Sequence, residues 1–240
     1  MIIMNFRRYD GCIYNLIHIK FNEDMERYGY FYYDLQYPTF YNFNNTYFNV
    51  NPNILNSIND VIKTDTYVFK NGLLKEYNEG QQTTHYTVLS NYNVSFSKNH
   101  ILSTKLNLMA FDGKSVSEYS QINNYNIDLL TGDTILLKDI FNPGVDYIKI
   151  ITEYINYKIL QNKEWYYKDV FIYIPQDQAF YLTEDGIIIY FELDQIAPME
   201  FGIPKFKIPF EKFAPYINPR FYCNPQNIYS SPVRKSKLYK

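Results

Sequence analysis

The sequence predicts an α+β protein, an antiparallel sheet with two main helices packed on one face. Three observations predict it. Tyr86, Val88, Ser90, Tyr92, Val94 and Phe96 alternate with mostly polar neighbours, the period-2 pattern of a half-buried strand, and Lys98-Asn99-His100 can turn that strand back into a partner over Ile101 to Phe111. Two other stretches carry apolar residues at the helical period: Ile54, Leu55, Ile58, Val61 and Ile62, then Tyr147, Ile148, Ile151, Tyr154, Ile155 and Ile159. The order helix, strands, helix, strands argues for α+β with an antiparallel sheet.

Residues 1–36 read as a lead-in segment in which Tyr28 to Tyr33 forms an edge strand. Tyr37-Pro38 opens an α+β subdomain over 37–123. Its helix starts at Pro52-Asn53 with Asn53 as N-cap and runs to Thr64, and its strand pair closes at Asp112-Gly113, a dipeptide that tolerates positive φ. A second unit, 124–213, follows. Ser117 to Asp128 continues the meander into it as a third strand, with Thr131-Gly132-Asp133 the turn and Thr134 to Leu137 the return. Beyond Pro143-Gly144 the second helix is expected to lie across a sheet face. Asp169 to Ile174 and Ile187 to Phe191 read as strands flanking Phe180-Tyr181-Leu182, joined by a Glu184-Asp185-Gly186 turn in which Gly186 takes a positive φ. Pro204 and Pro209 each withdraw a backbone donor, so the strand between them cannot be central. Residues 214–240, with Arg220, Arg234, Lys235, Lys237, Lys240 and four prolines, read as an extended basic tail.

Composition excludes several function classes. Against 25 acidic residues stand 23 basic ones, so no global field draws the chain to nucleic acid. No run is long and apolar enough for a signal peptide or a membrane span, which leaves a cytoplasmic or spore- or envelope-associated location as the expectation. The two cysteines, Cys12 and Cys223, have no CxxC partner; a disulfide joining the two ends of the chain stays open, and free thiols are the default reading. The anomaly is 27 tyrosines against one tryptophan, Trp165. Tyrosine joins broad apolar area to a polar tip and suits protein or glycan contacts, although its strand propensity alone also favours such a composition.

No chemistry stands out. Nucleophile elbows, zincin and phosphate-loop motifs are missing, and His18, His85 and His100 are isolated. Glu184, Asp185, Glu192 and Asp194 bracket one strand, but as turn and cap residues rather than a catalytic pair. No catalytic residue, metal site or cofactor is therefore expected. The loop Pro198-Met199-Glu200-Phe201-Gly202 places two large apolar side chains between extended segments, where they serve as interface anchors or fold into the core.

Several short runs carry a family resemblance. Asn126-Ile127-Asp128-Leu129 with Thr131-Gly132, the element Leu136 to Phe141, and above all Ile196-Ala197-Pro198 and Gly202-Ile203-Pro204 resemble the C-terminal domain of the RsiV-like anti-sigma factors, bacterial envelope proteins whose outer domain binds lysozyme. The domain, of unknown function in itself, also occurs beside peptidoglycan deacetylase domains. Tyr37-Pro38 and the Asn53 to Thr64 helix resemble the domain that precedes it. Phe111-Asp112-Gly113-Lys114-Ser115 stands where members carry a Gly-Gly-Ala-His-Gly-like segment. The resemblance implies a non-catalytic binding or sensor-like protein of the cell envelope or spore surface that recognises a c-type lysozyme or peptidoglycan fragments. Asp112, Lys114, Ser115, Pro198, Met199, Glu200 and Phe201 are its expected contact residues. Two other classes stay open: a Tyr-rich structural assembly protein of the spore-coat kind, and a glycan-active hydrolase, which would need carboxylates converging in a cleft.

Overall fold

The computed structural model describes residues 12–43, 50–80, 83–113 and 119–222. Strands β1 (Ile17–Tyr28), β2 (Phe31–Asn42), β3 (Tyr86–Lys98), β4 (Ile101–Phe111) and β5 (Tyr119–Asp128) form one five-stranded sheet in sequence order. Neighbours are antiparallel except β2 and β3, which run parallel. A parallel pair needs a long crossover. Helix α1 (Pro52–Glu79) supplies it and covers one sheet face, where Leu55, Ile58 and Ile62 meet Leu102, Leu106 and Leu108 of β4.

A smaller antiparallel sheet, β6 (Phe180–Thr183), β7 (Gly186–Tyr190) and β8 (Lys205–Pro209), lies against the opposite face. Helix α2 (Tyr147–Gln161) packs Ile151, Ile155 and Ile159 into the same core as Phe96 and Ile101 of the large sheet and Leu182, Ile187 and Ile208 of the small one. The α+β class thus stands, with the helices shared out between the layers. β8 is an edge strand, as its prolines require.

The layers are joined by side chains that stand in for strand partners. The outer edge of β6 is satisfied from the large sheet: Asn126 Nδ2 donates to the Phe180 carbonyl at 2.9 Å, and the Leu182 N–H donates to Ser103 Oγ at 2.9 Å. Ser103 itself donates to Asn126 Oδ1 at 2.6 Å, closing the network. Buried backbone groups must find partners, and here two side chains provide them. Asn156 of α2 clamps Ile172 likewise, accepting from its N–H at 2.9 Å and donating to its carbonyl at 2.7 Å. Asn59 of α1 does the same for Phe40, at 2.7 and 2.9 Å, beyond the point where β2 stops pairing with β3.

Several local expectations are corrected. Tyr28 to Tyr33 contains the β1–β2 hairpin turn, and β2 continues through Tyr37-Pro38. Alternation in β2 is hidden because tyrosine occupies both sides: Tyr33 is buried, its neighbour Tyr32 only half-buried. The N-cap of α1 is Asn51, which accepts from the Asn53 N–H, and the helix runs well past Thr64 because Leu73 and Tyr77 continue its apolar face. After a single bridge from Ile127 to Thr134 the chain turns into a 3-10 helix at Leu137–Ile140 rather than a return strand. Asp169 to Ile174 is no strand; Asn156 and Thr152 take up its backbone groups. Gly186 lacks the positive φ expected of it, but a Cβ there would stand 2.7 Å from the Ile208 carbonyl oxygen. The start of the tail is docked: Phe221 is buried and Arg220 pairs with Asp128 at 2.6 Å. Cys12 is buried and disulfide-bonded, which overturns the free-thiol reading there; Cys223 lies outside the described residues.

Candidate functional site

Strand β5 ends the large sheet, so one of its edges is open. Residues 133–135 cover its C-terminal part, where Asn126 accepts from the Ile135 N–H at 2.8 Å. Along the N-terminal part runs a cleft of about 850 Å³, walled by α1 on one side and by the small layer on the other. This placement explains a feature of the sequence that strand propensity does not: Gln121-Ile122-Asn123-Asn124-Tyr125-Asn126 puts four amide residues in six positions, although Asn is disfavoured in strands.

Because strand side chains alternate, β5 offers two sets of groups to the cleft. Asn123 and Tyr125 turn toward α1, where both donate to Asp65 Oδ2, at 2.9 and 2.7 Å. Gln121 donates to Asn123 Oδ1 at 2.6 Å. On the other side the Tyr190 hydroxyl donates to the Ile122 carbonyl at 3.0 Å and to Asn124 Oδ1 at 2.5 Å, and Gln178 donates to the Tyr190 carbonyl at 2.7 Å. Burial, then the bond to Asp65, pushes the Tyr125 phenol above its ordinary range; burial, then Tyr181, does so for Tyr190. Both remain neutral donors. Asp65 Oδ1, Asn124 Nδ2 and the carboxylates of Asp177 and Glu192 keep free hydrogen-bonding capacity facing the cleft.

Of the carboxylates weighed from sequence, only Glu192 lines this cleft. Glu184 pairs with Lys98 and Asp185 with Lys207, while Asp194 accepts from the Tyr167 hydroxyl. Asp65 and Asp177 were not singled out, since nothing near either in sequence marks it; α1 and the 175–179 turn bring them to β5. His18 stacks on Tyr41 and Phe43, and His85 meets Tyr30 at a tilt, ring centroids 4.4 Å apart. Among the described residues no group of three metal-ligating side chains occurs, and no helix is long and apolar enough to cross a membrane.

The expected contact loops are placed by other neighbours. Met199–Phe201 forms one turn of 3-10 helix after Pro198, with Glu200 at its centre, and Gly202 takes φ 71° to reverse the chain. Met199 and Phe201 are exposed, and Phe201 stacks on the equally exposed Trp165 with ring centroids 5.7 Å apart. Phe171 and Tyr173, on the same small layer, are 76% and 73% exposed, which no core role explains. Asp112 follows the last residue of β4, beside Gly113, whose Cα faces His85. Lys114 and Ser115 lie outside the described residues.

Comparison with known proteins bears on the small layer first. Residues 138–211 match the family model DUF3298, a protein of unknown function. A DUF3298 domain is present. The match takes in α2, all of the small sheet, and the distinctive Ile196-Ala197-Pro198 and Gly202-Ile203-Pro204 runs. The chain is also similar in fold to the crystal structure of a DUF3298 family member from Bacteroides fragilis, with TM-score 0.59 and 16% identity over 85% of this chain and 95% of that one. A DUF3298 family protein from Pseudomonas aeruginosa superposes with TM-score 0.57 at 12% identity, covering 87% of this chain and 96% of that one. At such identities the likeness speaks for the fold, large sheet included. No curated protein matches the chain.

Proposed function

We propose that this chain is a non-catalytic binding protein of the bacterial cell envelope or spore surface whose cleft along β5 takes a peptidoglycan-like glycan. One observation carries the reading: amides, carboxylates and phenols converge along an open strand edge, several with unspent hydrogen-bonding capacity. Sugar hydroxyls donate to carboxylates and accept from amide N–H groups, and an N-acetyl group does both. Asp65 supports recognition rather than acid–base work, because two donors hold the same oxygen as an acceptor. A handful of such bonds, at a net ~0.5–1.5 kcal/mol each and roughly twice that at a carboxylate, gives micromolar to millimolar affinity.

The test is calorimetric titration with soluble peptidoglycan fragments. Asp177→Asn and Glu192→Gln remove charges that have no ion-pair partner among the described residues, so each is expected to weaken binding roughly 5- to 10-fold, about 1–1.4 kcal/mol, with an unchanged melt. No saturable heat at millimolar fragment would sink the proposal. Release of new reducing ends during the titration would replace it with the hydrolase reading, to which Asp65, Asp177 and Glu192 give a cleft.

A second reading is favoured by the exposed aromatic turn. Phe201, Trp165 and Met199 offer the rigid apolar anchors that dominate protein interfaces, and a c-type lysozyme is the partner that the family resemblance supplies. Titration with lysozyme tests it: Phe201→Ala is expected to cut affinity by tenfold or more.

A further inference from the structure

Next to the cleft is a smaller cavity of about 260 Å³ that shares Ser120, Gln121, Ile122 and Ile203 with it. Its distinguishing residues are Lys105 of β4 and Lys205 of β8, one from each layer. Among the described residues no acidic side chain lines this cavity and neither lysine has an ion pair. The neighbouring lysines show how unusual that is. Lys207, two residues along β8 and so on the same side of the strand, pairs with Asp185, and Lys98, at the β3–β4 turn, pairs with Glu184. Lys105 has only the face of Tyr181, 5.0 Å from its ammonium group. Asn91 and Asn107 complete the polar wall and are occupied with each other, at 2.6 Å.

Two ammonium groups held near one another without a counter-charge repel, and an anion placed between them removes the cost. Burial lowers the Lys105 ammonium below the ordinary lysine range, and burial followed by the charge of Lys105 does the same to Lys205. The adjoining cleft holds the opposite balance, with Asp65, Asp177 and Glu192 and no cationic residue in its lining. A ligand spanning both cavities therefore meets hydroxyl and amide acceptors along most of its length and two cations at one end.

We infer that Lys105 and Lys205 form an anion subsite that takes a carboxylate carried by the glycan bound in the cleft. The inference rests on the glycan reading above and deepens it, by assigning two named side chains to the acidic substituent of such a glycan. Aminosugars bearing a lactyl ether carboxylate, or a short peptide with a free carboxylate, have the required chemistry. The carboxylate sits between the ammonium groups, raises their proton affinity, and at alkaline pH is bound together with a proton.

The full chain is titrated with three saccharides: a neutral N-acetylglucosamine trimer, a disaccharide containing N-acetylmuramic acid, and that disaccharide with a peptide attached. The acidic disaccharide is expected to bind at least tenfold tighter than the trimer; if only the peptide-bearing form does so, the carboxylate is the peptide's. Lys105→Met and Lys205→Met should each erase that difference while leaving trimer binding intact. At pH 9.5, buffers of different ionisation enthalpy should reveal proton uptake with the acidic ligand alone. Equal affinity for neutral and acidic ligands, or variants that bind like the parent, would overturn the subsite and leave the cleft reading in place. If no saccharide binds, the glycan reading fails, and sodium lactate followed through the lysine 13Cε resonances decides the subsite separately. Shifts confined to Lys105 and Lys205 uphold it as a carboxylate site; their absence overturns it.

Discussion

The two layers close over their cores by different means. In the large layer, backbone pairs with backbone along β3, β4 and β5, α1 seals one face with leucines and isoleucines, and a side-chain clamp appears at Phe40, held by Asn59 where β2 leaves β3. In the small layer, sheet and segment edges are sealed by side chains: Ser103 and Asn126 for β6, Asn156 and Thr152 for the stretch through Ile174. A side-chain amide presents an N–H and a carbonyl oxygen at the spacing of a peptide group, so a single asparagine can replace a strand where there is no room for one. The first kind of closure leaves a period in the sequence and the second leaves one polar residue on an apolar face.

That contrast can be broken by substitution. Leu106→Ala removes a fully buried side chain from the large core and is expected to cost about 2–5 kcal/mol, measured by denaturant unfolding with an unchanged slope. Asn156→Ala should come close behind, about 2–4 kcal/mol, because it strands a buried N–H and carbonyl at Ile172 as well as losing both bonds. A loss below about 1 kcal/mol would mean that water or a shifted backbone can replace the clamp, and the distinction between the layers would fail.

The same contrast explains what was legible. β3 and β4 followed from alternation and α2 from its helical stripe, and the prolines put β8 at an edge. Asp169 to Ile174 looked like a strand because Ile172 and Ile174 point inward as strand residues do, yet their partners are on a helix. The cleft was hidden for a related reason. Its one local sign was a strand rich in amides, while Asp65 and Asp177 are brought in by the crossover helix and a distant turn. Met199 and Phe201 are exposed, a placement that the sequence leaves open because either residue could equally fold into the core.

A smaller effect tests the join at the C-terminal end. Arg220 reaches Asp128 at the end of β5 and donates through Nε to the Asn99 carbonyl at 3.3 Å. The bond from Arg220 pulls the Asp128 carboxyl below its ordinary value, with the Leu130 N–H assisting. A depressed carboxyl stabilises the fold above its unfolded pKa, about 3.9, and the contribution disappears as pH falls through the folded value. Stability should therefore drop more steeply between pH 5 and 2 in the parent than in Asp128→Asn, and at neutral pH the variant should be weaker by about 1–2 kcal/mol. Parallel acid profiles would assign this pairing no energetic role.

The smallest stability change belongs to the aromatic turn, and it separates surface from core. Phe201 is 50% and Trp165 55% exposed, and they stack mainly on one another. Truncating Phe201 loses part of one contact and opens no cavity, so Phe201→Ala should shift stability by less than about 0.5 kcal/mol, against the several expected for Leu106→Ala. Trp165 is the only tryptophan, so its fluorescence reports this patch without interference. Loss of the stacked ring should move its emission while the melting curve stays put. If the melt falls with the emission, the two rings form part of the small layer's closure after all, and a protein partner loses a stacked pair of anchors.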